Sequence, residues 1–204
     1  MLPRMVAGKA TKNLRESDAA FFETTPSEHC FFMESDFAPL ELVEEVLEIQ
    51  SHDLAARAQA FLQDGRSRIR DVRCFDFVPS QYEHAWNVLS TLKRGKLCEW
   101  GSGLGIVVGL AELLGYPACG IELDADLAAS SRELLAAHGL SAPIYTGSYF
   151  EIQQAAEYYY VYSWPSQFDR VQQHFLYATP PDSKLLICYG HDDIRLRTKP
   201  PKTT

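Results

Sequence analysis

Apolar and polar positions divide this chain into stretches of different character. Residues 1 to about 35 show no periodicity, and the first twenty read as a tail. The aromatic pairs Phe21-Phe22 and Phe31-Phe32 suggest that part of the remainder docks on the domain that follows. From Asp36-Phe37-Ala38-Pro39 the pattern turns helical, with proline suited to a first turn. Leu40, Val43, Val46, Leu47 and Ile49 then share one helical face, and Glu41, Glu44, Glu45 and Glu48 the other. A second helix is predicted from about His52 to Leu62, stopping before Gly65. Residues 36–75 are therefore expected to form a helical addition that covers one side of a larger domain.

Beyond it the periods alternate. Arg68 to Phe77 reads as an extended piece leading into Val78-Pro79, and Ser80-Gln81-Tyr82-Glu83 has the spacing of a capping box, with a helix to about Thr91. Lys93-Arg94-Gly95 ends that helix and a first strand begins at Lys96. Further strands are predicted at Pro117–Leu123, Ala142–Thr146, Tyr158–Tyr162 and Lys184–Tyr189. Helices fill Ile106–Leu114, Asp124–His138 and a stretch opened by Ser166 and Asp169 and ending near Ala178. Strands that alternate with helices demand a largely parallel sheet with right-handed crossovers, an α/β domain over residues 76–190.

The chemistry concentrates in Leu97-Cys98-Glu99-Trp100-Gly101-Ser102-Gly103-Leu104-Gly105. An apolar run ends in an acidic residue, followed by three glycines at alternate positions and then an apolar helix. Glycine tolerates positive φ and lets a ligand approach the backbone. The helix behind it turns its unsatisfied N–H groups towards the same spot. That is a nucleotide-type site at the first strand-to-helix crossing of an open sheet. A dinucleotide loop of the form G-x-G-x-x-G would need glycine at 106, where this chain has Ile106.

Glu99-x-Gly101-x-Gly103-x-Gly105 resembles motif I of the class I S-adenosylmethionine-dependent methyltransferases, and Cys119-Gly120-Ile121-Glu122-Leu123-Asp124, about twenty residues on, resembles that family's second strand. The resemblance covers roughly Phe77 to Gly190. It implies a Rossmann-like, mostly parallel sheet flanked by helices, and S-adenosylmethionine as cofactor. It also implies a cofactor site of Glu99, Gly101, Ser102, Gly103, Gly105, Glu122, Leu123, Ser148 and Tyr162, with Glu122 holding the two ribose hydroxyls. In this family the loop before the helix that precedes motif I often walls the same site. The acceptor is expected at the end of the fourth strand, at Ser163, Trp164 and Pro165, where many members carry Asp or Asn before prolines. Gly147-Ser148-Tyr149 stands where the family often has an acid for the adenine amine. Only fourteen residues follow Gly190, so the usual closing pair of antiparallel strands hardly fits. The sheet is expected to be short on that edge, with residues 191–204 a tail. The implied function is methyl transfer to a small-molecule or protein acceptor. The alternatives are a cofactor-binding but catalytically silent partner protein, and a nicotinamide or nucleotide-sugar binder.

Charge and composition narrow the partners. A net charge of -8 and a pI near 5.2 argue against binding naked nucleic acid by general electrostatics. Arg195, Arg197, Lys199 and Lys202 read as a solvated tail. The five cysteines (Cys30, Cys74, Cys98, Cys119, Cys188) form no C-x-x-C pair and are odd in number, which suits free thiols rather than a disulfide framework or a metal site. The six histidines show no ligand spacing and no nucleophile partner. G-x-S-x-G and G-x-x-x-x-G-K-[ST] are absent, which removes the hydrolase-elbow and P-loop readings. There is no apolar leader core and no 18-residue apolar run, so a cytoplasmic protein with no membrane partner is expected.

Overall fold

The computed structural model describes residues 41–74, 77–190 and 192–201. The expected tail over residues 1–35, the helix start at 36–39, and Cys30, His191 and Lys202 lie outside them. The described chain forms seven strands, β1 (Val43–Glu45), β2 (Leu97–Trp100), β3 (Ala118–Glu122), β4 (Ile144–Thr146), β5 (Tyr158–Tyr162), β6 (Lys184–Cys188) and β7 (Ile194–Thr198). Five helices accompany them, α1 (Ala56–Ile69), α2 (Tyr82–Thr91), α3 (Ile106–Leu113), α4 (Ala125–Ala137) and α5 (Phe168–Ala178), with a 3-10 turn at Pro165–Gln167.

The strands make one sheet in the order β1-β7-β6-β5-β2-β3-β4. β2 runs parallel to β3 and β5, β3 to β4, and β5 to β6. The order therefore reverses beside β2, between β3 and β5, and a crevice opens at that point beyond the carboxyl ends of the strands. Fully buried β2 and β3 read as continuous apolar runs because both sheet faces are covered. Residues of α1, α2, α3 and α4 pack on one face. Val171 and Phe175 of α5 pack on the other, against Trp100, Tyr159 and Leu185.

Four expectations change. Over residues 41–49 the expected helix is replaced by an extended segment carrying β1. An amphipathic helix needs its stripe buried, yet Val46 is 91% exposed. Strand pairing wins instead, with Leu42 packed on one sheet face and Leu47 and Ile49 on the other. Next, α1 runs through Gly65 rather than stopping at it. A Cβ there would come within 2.8 Å of Ile106 Cδ1, so this glycine permits close helix contact. The capping box is not formed, since Gln81 is the N-cap of α2 with no side-chain cap bond. Finally, β4 leads to β5 through residues 147–157 with no helix between.

The closing edge is also complete rather than short. Residues 194–198 are a strand, not a tail, and pair antiparallel with β6. The outermost position is taken by β1, antiparallel to β7 with Glu44 opposite Arg197. Glu44 accepts from Arg197 at 2.8 Å, and Glu45 from Lys184 at 2.7 Å. Arg197, one of the charges that read as a solvated tail, is a register partner of the acidic segment, and Arg195 lies 3.6 Å from Glu44. Among the described residues no helix is long and apolar enough to cross a membrane.

Candidate functional site

β2 ends at Trp100, and Gly101, Gly103 and Gly105 follow with φ of 72°, 53° and 68°. All three lie in the left-handed region, which costs an L-residue roughly 1–2 kcal/mol. The loop is tied to the next strand, as the N–H groups of Gly101 and Ser102 both donate to the Ile121 carbonyl at 2.8 and 3.0 Å. It closes through Gly105 N–H to the Ser102 carbonyl at 2.7 Å. α3 then starts at Ile106, the position a dinucleotide loop would give to glycine.

The glycines differ in surroundings. A Cβ on Gly101 would meet nothing within 4 Å, whereas one on Gly103 would lie 2.7 Å from the Phe77 ring. One on Gly105 would meet Ser131 Oγ at 2.0 Å, against α4. Gly101 faces open space, Gly103 is covered by the loop before α2, and Gly105 serves packing.

Two carboxylates stand at the ends of β2 and β3. Glu122, 8% exposed, accepts from Gly103 N–H at 2.6 Å on one oxygen and from Asp124 N–H at 2.8 Å on the other. Asp124 in turn caps α4, accepting from the N–H groups of Asp126 and Leu127 at 2.9 and 3.0 Å. Glu99, 6% exposed, accepts among the described residues only the Val108 N–H, at 3.2 Å. Burial holds the Glu99 carboxyl well above the usual carboxylate range; the Val108 N–H works against that shift and the charge of Glu122 with it. Burial, reinforced by the Glu99 charge, raises the Tyr82 phenol in the same way.

These groups surround a cavity of about 550 Å³, within the range of small-molecule sites. Of the residues expected from sequence, Glu99, Gly101, Ser102, Gly103, Glu122, Leu123, Tyr162, Ser163 and Trp164 line it together. Gly105, Ser148 and Pro165 do not. Ser148 Oγ instead accepts the Phe150 N–H at 3.2 Å, steadying the turn after β4. Pro165 opens the 3-10 turn, with Trp164 as its N-cap. The neighbours Tyr149 and Gln167 reach the cavity in their place.

The far wall comes from Cys74, Phe77, Val78, Ser80 and Tyr82, around the start of α2. The position of that loop was signalled in advance, but its individual side chains carried no mark. Tyr149 stacks on Trp100 with ring centroids 5.2 Å apart and planes 5° off parallel, a pairing across distant segments that no local pattern announces. Trp164 is 46% exposed at the rim. No Lys, Arg or His is among the lining residues described. No group of three or more potential metal ligands occurs among the described residues. Ser102 Oγ, buried in the cavity wall, has no hydrogen-bond partner among the described residues.

No protein-family model matches the sequence, and no curated protein matches it significantly. Solved structures do match. An RNA methyltransferase from Salinibacter ruber, in complex with S-adenosylhomocysteine, aligns with a TM-score of 0.54 at 20% identity, over 62% of this chain and 96% of that one. A methyltransferase of Podospora anserina, also bound to S-adenosylhomocysteine, aligns at 0.54 and 16% over 68% and 64% of the two chains. An O-methyltransferase from Bacillus cereus in complex with the same compound aligns at 0.51 and 12% over 66% of each. The fold is that of the class I methyltransferases. The chain spans nearly all of the Salinibacter protein but just under two thirds of the other two. At the outer edge of this chain's sheet, β1 completes the strand order beside β7.

Proposed function

We propose that this protein binds S-adenosylmethionine and transfers its methyl group to an acceptor seated against Trp164. The observation that carries the reading is the convergence of three strand ends on one cavity: the glycine loop after β2, Glu122 at the end of β3, and Tyr162 to Trp164 at the end of β5. Each oxygen of Glu122 has one backbone donor. A carboxylate offers about four lone-pair sites, so two remain for ribose hydroxyls. Gly101 lines the cavity, and a Cβ there would meet no described atom within 4 Å, which leaves room for a ligand against the backbone. A site with carboxylates and no cation among its described lining residues suits a positively charged ligand.

The cofactor, held by the glycine loop and Glu122, would supply an electrophilic methyl group with a neutral thioether as its leaving group. The chain's own task is to hold the acceptor in line and keep water out. Tyr162 and Ser163 set the end of β5, and the flat face of Trp164 at the rim offers a planar or cationic group a surface. The same charge pattern disfavours acceptors that carry phosphate, so the acceptor class is a neutral or cationic small molecule or protein side chain.

A second reading, a cofactor-binding partner that transfers nothing, is favoured by Tyr162-Ser163-Trp164-Pro165 lacking any carboxylate or amide. Methyl-labelled S-adenosylmethionine, incubated with the protein and fractionated cell extract, separates the two. Label in a small-molecule or protein fraction supports transfer. Cofactor binding with no label anywhere supports the silent partner.

A further inference from the structure

Building on the cofactor reading above, we infer that Glu99 is the residue by which this cavity selects a cation, giving up its own proton to solvent as the positively charged cofactor binds. Two carboxyl groups, each more than nine-tenths buried, face one cavity from the ends of adjacent parallel strands. Two such groups with no cation between them do not both ionise without a large electrostatic cost. The hydrogen bonds decide which one keeps the proton. Glu122 has a short donor on each oxygen, 2.6 and 2.8 Å away. Glu99 has a single donor at 3.2 Å, the Val108 N–H in the first turn of α3.

Among the described residues, the groups facing Glu99 from the surrounding elements offer no positive charge. They are the Tyr82 phenol from α2, Cys98 on its own strand, Glu122 from β3, the Tyr160 phenol from β5 and the Cys188 thiol from β6. Burial raises the carboxyl, in agreement with this geometry. The empty site therefore holds a neutral Glu99. A ligand cation brought into the same cavity favours the carboxylate, and the proton leaves to water.

Affinity for S-adenosylmethionine then rises with pH, by up to about tenfold per pH unit while free Glu99 is protonated and bound Glu99 is not. S-adenosylhomocysteine, with one positive charge fewer, displaces less proton. The product is thus held with less electrostatic gain than the substrate.

The test is calorimetry of the full chain with S-adenosylmethionine at pH 7 in buffers of different ionisation enthalpy. The expected result is net proton release when S-adenosylmethionine binds, less with S-adenosylhomocysteine, and loss of that release in Glu99→Gln. Infrared difference spectra of the wild-type protein provide a readout independent of the variant's folding, since a protonated-carboxyl band should vanish when the cofactor is added. Binding with pH-independent affinity, no buffer dependence and no infrared change overturns the inference while leaving the cofactor reading intact. Absence of binding at every pH overturns both.

Discussion

The Glu122 carboxylate at the end of β3 accepts the backbone N–H of Gly103, in the loop after β2, at 2.6 Å. One side chain thereby fixes the glycine loop and presents its remaining lone pairs to the cavity. Glu122→Ala is expected to weaken S-adenosylhomocysteine binding by roughly 1.5–3 kcal/mol, the range for a hydrogen bond to a charged group. It should also loosen the loop, seen as faster amide exchange at Gly103. Unchanged affinity in a folded variant would mean that this carboxylate does not face the ligand.

The three glycines separate into distinct tests. Gly101→Ala adds a methyl group in open space at the cavity, so its cost to folding is the left-handed backbone alone, about 1–2 kcal/mol. It should lower cofactor affinity while leaving a cooperative melt. Gly103→Val instead drives a branched side chain into the Phe77 ring and should lose both binding and stability. If Gly101→Ala binds like the wild type, the ligand does not approach this backbone.

Trp164 presents nearly half its surface to solvent at the rim. Trp164→Ala should therefore change stability by about 1 kcal/mol or less, as exposed substitutions do, and leave cofactor affinity near its original value. Methyl transfer should fall sharply, since the acceptor loses its platform. A loss of roughly 3–5 kcal/mol would instead mark a core residue.

The outer edge of the sheet depends on β1. A chain starting at residue 41 should melt several degrees above one starting at residue 47, which leaves the outer edge of β7 unpaired, at about 2–4 °C per kcal/mol for a protein of this size. Glu44→Ala should cost less, about 0–1 kcal/mol, because its ion pairs with Arg195 and Arg197 are partly solvated. Equal melting temperatures for the two truncations would remove residues 43–45 from the sheet.

What the sequence made legible was local. Alternating periods and the punctuation of Gly95, Gly115 and Gly139 located β2 to β6 and most of the helices, since each signal lies within the element it marks. The glycine spacing and Glu122 marked the ligand side of the sheet for the same reason. Residues 43–45 were misread because apolar positions in a mostly acidic stretch fit a helical face as well as a short strand. Only the distant β7, with Arg197 opposite Glu44, selects between them. Gly65 failed likewise, since its partner Ile106 belongs to another helix. Tyr149 and the wall residues Cys74, Phe77, Val78, Ser80 and Tyr82 reach the cavity through tertiary packing that leaves no periodic trace.

The most direct measurement is a pair of calorimetric titrations of the full chain, one with S-adenosylhomocysteine and one with NAD. Ile106 starts α3 where a dinucleotide loop needs glycine, and the cavity joins the glycine loop to Glu122 and the end of β5. The expected result is saturable binding of S-adenosylhomocysteine, weakened by Glu122→Ala, and no heat from NAD. Tight binding of NAD with no response to S-adenosylhomocysteine would contradict it.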